Sequence, residues 1–423
     1  MIIKRTMYLK KLEMYVDRNA VKIITGVRRC GKTTLIRQFI DELKENGIPE
    51  ENIFYINFEG IIYSYFNSKE HLRDMISTFI ESINGQHCYI FLDEVECVKG
   101  WAQVASELLN LFDCDIYVSS SNKSIFNDDY GKVLGYRYVK IEMYPLTFSE
   151  YLEITADEPG HYKAENEAQT EAENEAGESG MLSREELFRD YLKRGCMPGA
   201  YALQNDAYRE DYLRNLYSAI ILKDVVQCNN LRDISHLDKI MEFILNHIGE
   251  TFSPKGIKDY VKGLGVTISV DTVYSFLDAL TGGFLLYKIP RFDIKADREL
   301  ETQEKYYICD MGMRNAVMGD EGTHDIALIE SALCMELLVR GFKVSVGKQN
   351  QTQIDFMASR GSDRTYLNCC ETIEDKETVK KKFGSLTRIR DNYFKMVLSM
   401  DPETKINKGG IINYPLYDFM AQG

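Results

Sequence analysis

No apolar run in the chain approaches the ~20 residues that a membrane-spanning helix needs. The opening, Met1-Ile2-Ile3-Lys4-Arg5, lacks the pattern of a secretory signal, so a cytoplasmic location without a membrane partner is expected. The ten cysteines include no C-x-x-C pair, which disfavours both a zinc site and a disulfide framework and leaves reduced thiols as the expected state. Basic residues are not in excess: 51 Lys and Arg stand against 65 Asp and Glu, a net charge of −14. The imbalance is concentrated. Residues 153–186 hold 11 acidic and two basic residues, so the acidity belongs mostly to one segment and says little about the rest of the chain.

Within that segment, residues 155–182 also have almost no large apolar side chains. They carry Glu-Asn-Glu-Ala twice, at 165–168 and 173–176. Such a composition cannot bury enough surface to offset its ordering entropy, and a disordered or loosely helical insertion is expected. A chain of 423 residues has room for several domains. The composition shifts divide it into a first α/β domain (1–152), the acidic insertion (153–186), a helical connector (187–235), a winged-helix-like module (236–312) and a last α/β region (313–423).

What the first domain does have is Gly26-Val27-Arg28-Arg29-Cys30-Gly31-Lys32-Thr33, a phosphate-binding loop of the form G-x-x-x-x-G-K-[ST]. The apolar run Val21–Thr25 before it reads as a buried strand, and the run from Thr34 after it as a helix; this is the context the motif requires. Glycines let the backbone curl so that successive N–H groups face a phosphate, and the helix N-terminus adds its positive dipole end. The expected ligand is a polyphosphate with Mg²⁺. Residues 26–34, Thr34 included, would form the cradle, with Lys32 on the β/γ-phosphates and the Thr33 hydroxyl on the metal.

A second apolar run, Cys88–Leu92, ends in Asp93-Glu94. Asp93 is expected in the Mg²⁺ shell and Glu94 as the base that polarises the attacking water. Further strands are expected at 53–58, 115–120 and 138–143, with helices between them. Alternating strands and helices predict a parallel sheet covered on both faces. Ser121 or Asn122, after the fourth strand, could sense the γ-phosphate or simply form a turn. Arg137 is either an arginine finger completing a neighbouring site or a strand-edge charge.

Together, the loop with its paired arginines, Phe91-Leu92-Asp93-Glu94-Val95, Trp101, Ser120-Ser121-Asn122, Arg137 and Tyr144-Pro145-Leu146-Thr147-Phe148-Ser149-Glu150 resemble prokaryotic ATPases of the AAA+ superfamily, over nearly the whole chain and in the same order. The resemblance implies ATP binding and hydrolysis ahead of a C-terminal region of uncharacterised function. The chain departs from it at Glu96, where members often carry Gln, and at Tyr136-Arg137, where they carry Gly-Arg.

Beyond the insertion, residues 187–230 read as amphipathic helix interrupted by Gly195-Cys196-Met197-Pro198-Gly199, with Lys223-Asp224 as surface charge. Three helices follow, at about 236–248, from Pro254 behind a Ser253 cap, and from Val270 to about Leu280. A strand pair (284–289, 305–308) completes a winged-helix pattern. The third helix has no Arg or Lys, which removes the phosphate-binding term that dominates DNA affinity; the hairpin holds Lys288, Arg291, Lys295 and Arg298. DNA, a protein partner and self-association all stay open. The last region resembles the core of PD-(D/E)xK nucleases: Glu330 on a helix and Asp355 on a strand match. The acid-x-Lys position reads Asn368-Cys369-Cys370, so a nuclease-like fold without nuclease activity is expected. The fold class is thus an ASCE/AAA+-like P-loop sheet followed by a winged helix and a small restriction-nuclease-like α/β domain. The main functional expectation is an Mg²⁺-dependent ATPase coupling hydrolysis to its C-terminal domains; the alternative is a nucleotide-gated binding switch with little turnover.

Overall fold

Each apolar run read above as a strand of the first domain is a strand in the computed structural model, which describes residues 3–60, 68–126, 128–156, 182–203, 205–229, 231, 234–319, 325–406 and 409–422. Most of the acidic insertion, residues 157–181, lies outside this set. The chain divides into two compact units, neither of them continuous in sequence.

The first unit comprises residues 1–144 together with 220–230 and 279–285. Its elements are α1 (Thr6–Glu13), β1 (Val21–Thr25), α2 (Lys32–Glu45), β2 (Ile53–Asn57), α3 (Lys69–Ser82), β3 (Cys88–Asp93), α4 (Trp101–Leu111), β4 (Cys114–Ser120), α5 (Asp128–Val133) and β5 (Tyr138–Glu142). The five strands run parallel in the order β2-β3-β4-β1-β5. A central parallel strand must be apolar on both faces, and β1 and β3 are buried throughout. Successive side chains alternate between the faces. Ile90 and Leu92 of β3 share a core with Leu72, Ile76 and Ile80 of α3 and Trp101, Val104 and Leu108 of α4. Phe91, between them, points the other way and meets Phe39 of α2, with ring centroids 6.3 Å apart; Tyr117 of β4 stacks on the same ring at 4.7 Å. Helices therefore cover both faces, and every strand ends on the same edge of the sheet.

The second unit comprises residues 145–219, 231–278 and 286–423. Its helices begin with α6 (Phe148–Ala156), α7 (Arg184–Arg194), α8 (Asp206–Ala219), α9 (Ile234–Asn246), α10 (Pro254–Gly263) and α11 (Val270–Gly282), whose last turn belongs to the first unit. Ser183 starts α7 with a reciprocal capping box to Glu186, and Ser253 caps α10 as expected. Then come β6 (Leu286–Asp293), β7 (Arg298–Ile308), α12 (Met311–Met318), α13 (Asp325–Val339), β8 (Lys343–Gln349), β9 (Thr352–Arg360), β10 (Asp363–Cys369), α14 (Lys376–Thr387), β11 (Phe394–Ser399), β12 (Lys405–Ile406), β13 (Ile412–Pro415) and α15 (Leu416–Ala421). The strands form one mixed sheet, ordered β12-β13-β11-β10-β9-β8-β6-β7. The expected hairpin exists, but it is not a separate wing. β6 pairs with β7 and also, in parallel, with β8, so the hairpin is the edge of the larger sheet. Among the described residues no helix is long and apolar enough to cross a membrane.

Candidate phosphate-binding site

The site is built at the carboxyl edge of the parallel sheet. Thr25, the last residue of β1, is in register with Ser120 of β4 and Glu142 of β5. The chain leaves the strand through Gly26, whose φ is +155°. A Cβ there would lie 2.0 Å from the carbonyl oxygen of Met143, the residue after β5, so only glycine fits. Arg29 (φ +67°) and Gly31 (φ +112°) turn the loop back into α2. The first turn of α2 has no side-chain cap and no acidic residue, which leaves its N–H groups open to an anion. From below, the buried Arg5 donates to the Cys30 carbonyl at 3.2 Å and the Tyr144 carbonyl at 3.0 Å. The Cys30 thiol is fully buried, and burial pushes its pKa up, so it packs as a neutral group. Val27 is buried, whereas Arg29 and Thr34 are exposed.

Lys32 lies 3.0 Å from the Gly26 carbonyl, 2.8 Å from Ser121 Oγ and 3.4 Å from Glu94 Oε1. Thr33 Oγ1 donates to Asp93 Oδ2 at 2.7 Å. The same oxygen accepts from Asn57 Nδ2 (2.6 Å) and Tyr55 OH (3.1 Å), and Ser119 holds the other oxygen. β2, β3, β4 and α2 thus each contribute to fixing one buried carboxylate. Glu94 follows in the left-handed region (φ +54°), with its N–H on Ser119 Oγ at 2.9 Å and its Oε1 accepting from Ser121 Oγ at 3.1 Å. Burial raises the Glu94 carboxyl, but the Lys32 ammonium, a hydrogen bond from Glu96 and the Arg28 charge outweigh it, and Glu94 is held below the ordinary carboxylate range. Glu96 is pushed well above it, by burial first and then by the Glu94 charge. Its Oε1 accepts from the Ser121 N–H at 2.8 Å. A neutral Glu96 is a donor–acceptor group of the kind Gln provides at the corresponding position of the resembling ATPases.

The sheet therefore brings Gly26, Lys32, Thr33, Asp93 and Glu94 together, with Ser121 as the side chain that touches both Lys32 and Glu94. Asn122 is close by and 3 % exposed, but its amide donates to the Asp224 carbonyl at 3.0 Å and its Oδ1 accepts from Ser124 N–H at 2.8 Å. Arg137 is not in this cluster. It precedes β5 at the opposite edge of the sheet, where its carbonyl receives Val21 N–H and its guanidinium meets Asn19 and Asn110. The length of β1, about 16 Å at ~3.3 Å per residue, separates it from its own loop.

Asp224 was expected on the surface, yet it is 2 % exposed. It sits in Ile220–Gln227, a π-helical run, and receives Arg28 Nε and Nη2, each at 2.8 Å. Spacing alone could have flagged it: Asp224 falls four and three residues after Ile220 and Ile221, on the apolar face.

In the second unit, Glu330, Asp355 and Cys369 place their potential ligand atoms within 4.8 Å of one another. Both carboxylates already carry a cation. Lys305 Nζ and Tyr307 OH each lie 2.8 Å from Glu330 Oε2, and Lys382 Nζ lies 2.6 Å from Asp355 Oδ2. The lysine absent from β10 is thus supplied by α14. Burial drives the Cys369 thiol well above its ordinary pKa. Asn368, at the acid position, spends its amide on Lys382 O (2.6 Å) and Ser385 Oγ (2.8 Å). Of the hairpin cations, Lys288 pairs with Glu304 at 2.9 Å and Arg291 donates to Gln303 at 2.5 Å.

Comparison with known proteins agrees with this geometry. Residues 18–152 match the family described as AAA domain, and residues 185–324 match a domain of unknown function, DUF8612. An uncharacterized protein of Haemophilus influenzae is 29 % identical over 398 residues, 94 % of this chain and 93 % of its own length. Protein MJ1544 of Methanocaldococcus jannaschii, also uncharacterized, is 23 % identical over 380 residues, covering 88 % of this chain and 79 % of the relative. Among solved structures, the Walker-type ATPase PABY2304 of Pyrococcus abyssi superposes with a TM-score of 0.50 at 12 % identity, over 75 % of this chain and 96 % of that one. The chain carries an AAA domain of the P-loop ATPase fold, followed by a domain of unknown function.

Proposed function

We propose that this protein binds ATP with Mg²⁺ at the Gly26–Thr33 loop and hydrolyses it. The observation that carries the reading is the Thr33–Asp93 contact of 2.7 Å, with Glu94 next in the chain and 3.4 Å from Lys32. A hydroxyl and a carboxylate side by side are the hard oxygen donors that Mg²⁺ takes. The uncapped first turn of α2, which carries no acidic residue, suits a polyphosphate. Bound there through Thr33 and Asp93, Mg²⁺ supplies neutralisation of phosphate charge. Lys32 binds the β/γ-phosphates. Glu94, held as a carboxylate by Lys32, accepts the proton of the attacking water as its oxygen bonds to the γ-phosphorus and the bond to the bridging oxygen breaks, releasing ADP and phosphate. Ser121 orients Glu94 against Lys32. The test is steady-state phosphate release with Mg²⁺: turnover is expected in the wild type, and a Glu94→Gln variant should bind ATP but turn over at least ~100-fold more slowly. Unchanged turnover in that variant would refute the base assignment. Binding without turnover in the wild type would favour a nucleotide-gated switch.

For the second unit we propose that the Glu330–Asp355–Cys369 cluster has no nuclease activity. One ammonium on each carboxylate supports this, since the lysines already supply the charge that a divalent cation would. Cleavage of plasmid DNA with Mg²⁺ that disappears in Asp355→Ala would overturn it.

A further inference from the structure

Two side chains of the phosphate-binding site are committed to one residue far downstream. Arg28, in the loop, makes a two-pronged contact with the Asp224 carboxylate, 2.8 Å on each prong, while its third nitrogen meets Glu59. Asn122, beyond the end of β4, donates to the main-chain carbonyl of the same Asp224 at 3.0 Å. Lys223 reinforces the junction through Glu59 at 3.1 Å. The carboxylate is almost fully buried (side chain 3 % exposed) and Arg28 nearly so (12 %), so water screens the pair little. All of these residues lie within the first unit. Asp224 occupies the π-helical run Ile220–Gln227; such turns are rare and concentrate at functional positions.

Arg28 and Asn122 also border the proposed phosphate site: one lies on the loop, the other beside Ser121, which touches Lys32 and Glu94. A guanidinium binds a phosphate in the same two-pronged way as a carboxylate. It cannot serve both in full. A phosphate that took Arg28 would also stand beside an unpaired, buried Asp224, and like charges at that range repel.

We propose that Asp224 is an autoinhibitory tether, in competition with the γ-phosphate for Arg28 and Asn122. When ATP takes these two side chains, Ile220–Gln227 is released; when the γ-phosphate is absent, Asp224 recaptures them. The segment continues directly from α8, so release alters the chain where it leaves the nucleotide-binding unit. The inference rests on the proposed ATP site.

The experiment uses the full chain, a fluorescent non-hydrolysable ATP analogue with Mg²⁺, and hydrogen exchange of peptides covering 220–227. In the wild type the analogue should accelerate exchange in that segment, and the corresponding ADP analogue should not. Asp224→Asn keeps the shape and removes the charge; it should exchange fast without nucleotide and bind the ATP analogue about tenfold more tightly, a change of ~1.4 kcal/mol. Arg28→Lys, which keeps the charge but not the fork, tests the tether from the other side and should also exchange fast without nucleotide. Weaker binding by Asp224→Asn, or protection of 220–227 by the ATP analogue, would overturn the proposal. The two readings fail separately. If wild type and Lys32→Ala bind the analogue equally poorly, the ATP site itself is wrong. If wild type binds, Lys32→Ala does not, and exchange at 220–227 is unchanged, only the tether is wrong.

Discussion

Gly26→Ala offers a quantitative test of the loop geometry. The added Cβ would sit 2.0 Å from the Met143 carbonyl oxygen, where ordinary contacts begin near 3.4 Å, so the two backbones must separate by more than an ångström. Met143 is not free to retreat, because its N–H is bonded to the Thr25 carbonyl at 2.6 Å and Cys30 Sγ lies against its own carbonyl at 3.6 Å. Separation therefore breaks a buried backbone hydrogen bond, at about 1–3 kcal/mol. The φ of +155° adds about 1–3 kcal/mol of strain for any side chain. The expected loss is about 2–6 kcal/mol, or on the order of 10 °C in Tm for a unit of this size. Gly47→Ala is the control. Its φ is also positive (+91°), but nothing lies within 4 Å of the added carbon, so it carries strain without collision and should cost about 1–2 kcal/mol. Urea unfolding followed by the fluorescence of Trp101 reads both variants. Trp101 is the single tryptophan of the chain and is buried in the core of the same unit. Gly26→Ala should also lose nucleotide binding, and Gly47→Ala should keep it. Equal destabilisation of the two would refute the argument that the Met143 carbonyl, rather than backbone conformation alone, demands glycine at this position.

The other predictions concern buried charge. Lys22 and Asp115 form an ion pair with side chains 0 % and 1 % exposed, so Lys22→Met alone should cost about 3–5 kcal/mol; the double change with Asp115→Leu should recover most of that, as read by the same urea titration. The raised pKa of Glu96 means that the folded chain binds a proton there more tightly than the unfolded chain does. Stability contributed by that group is present below the ordinary value of 4.5 and falls as pH rises above it, until the higher folded value is passed. Glu96→Gln should therefore be more stable than wild type by a margin that grows with pH above about 4.5; a margin independent of pH in urea titrations would contradict the assignment. Lys382→Ala leaves Asp355 without its cation, and the loss of about 3–5 kcal/mol expected for a broken buried pair should appear in the second unit, leaving the Trp101 transition of the first unit in place.

What could be read from the sequence was local. The loop, its strand and helix, and the strand ending in Asp93-Glu94 each declare themselves within ten residues, because hydrophobic periodicity and glycine placement act at that range. Groups joined across long sequence separations gave no such sign. Arg5 reaches the Tyr144 carbonyl, Asn57 and Ser119 close on Asp93 from two other strands, and Arg28 finds a partner in Asp224. These contacts depend on the strand order β2-β3-β4-β1-β5, which patterning does not encode. The Lys223-Asp224 pair shows the limit well: charge on a helix is usually solvated, and although its spacing from Ile220 and Ile221 puts Asp224 on the apolar face, only the tertiary packing supplies Arg28 as its partner. Lys382 illustrates the same point in the second unit, since a motif searched along one strand misses a lysine delivered from a helix.

The central claim is that Lys32, Thr33, Asp93 and Glu94 form one nucleotide-hydrolysing site, and it is tested most directly by measuring ATP binding and phosphate release side by side in wild type, Lys32→Ala and Glu94→Gln. Wild type should bind and turn over, Lys32→Ala should lose both, and Glu94→Gln should bind while losing turnover. Binding and turnover that survive Lys32→Ala would contradict the account, because the phosphate would then sit somewhere other than this loop.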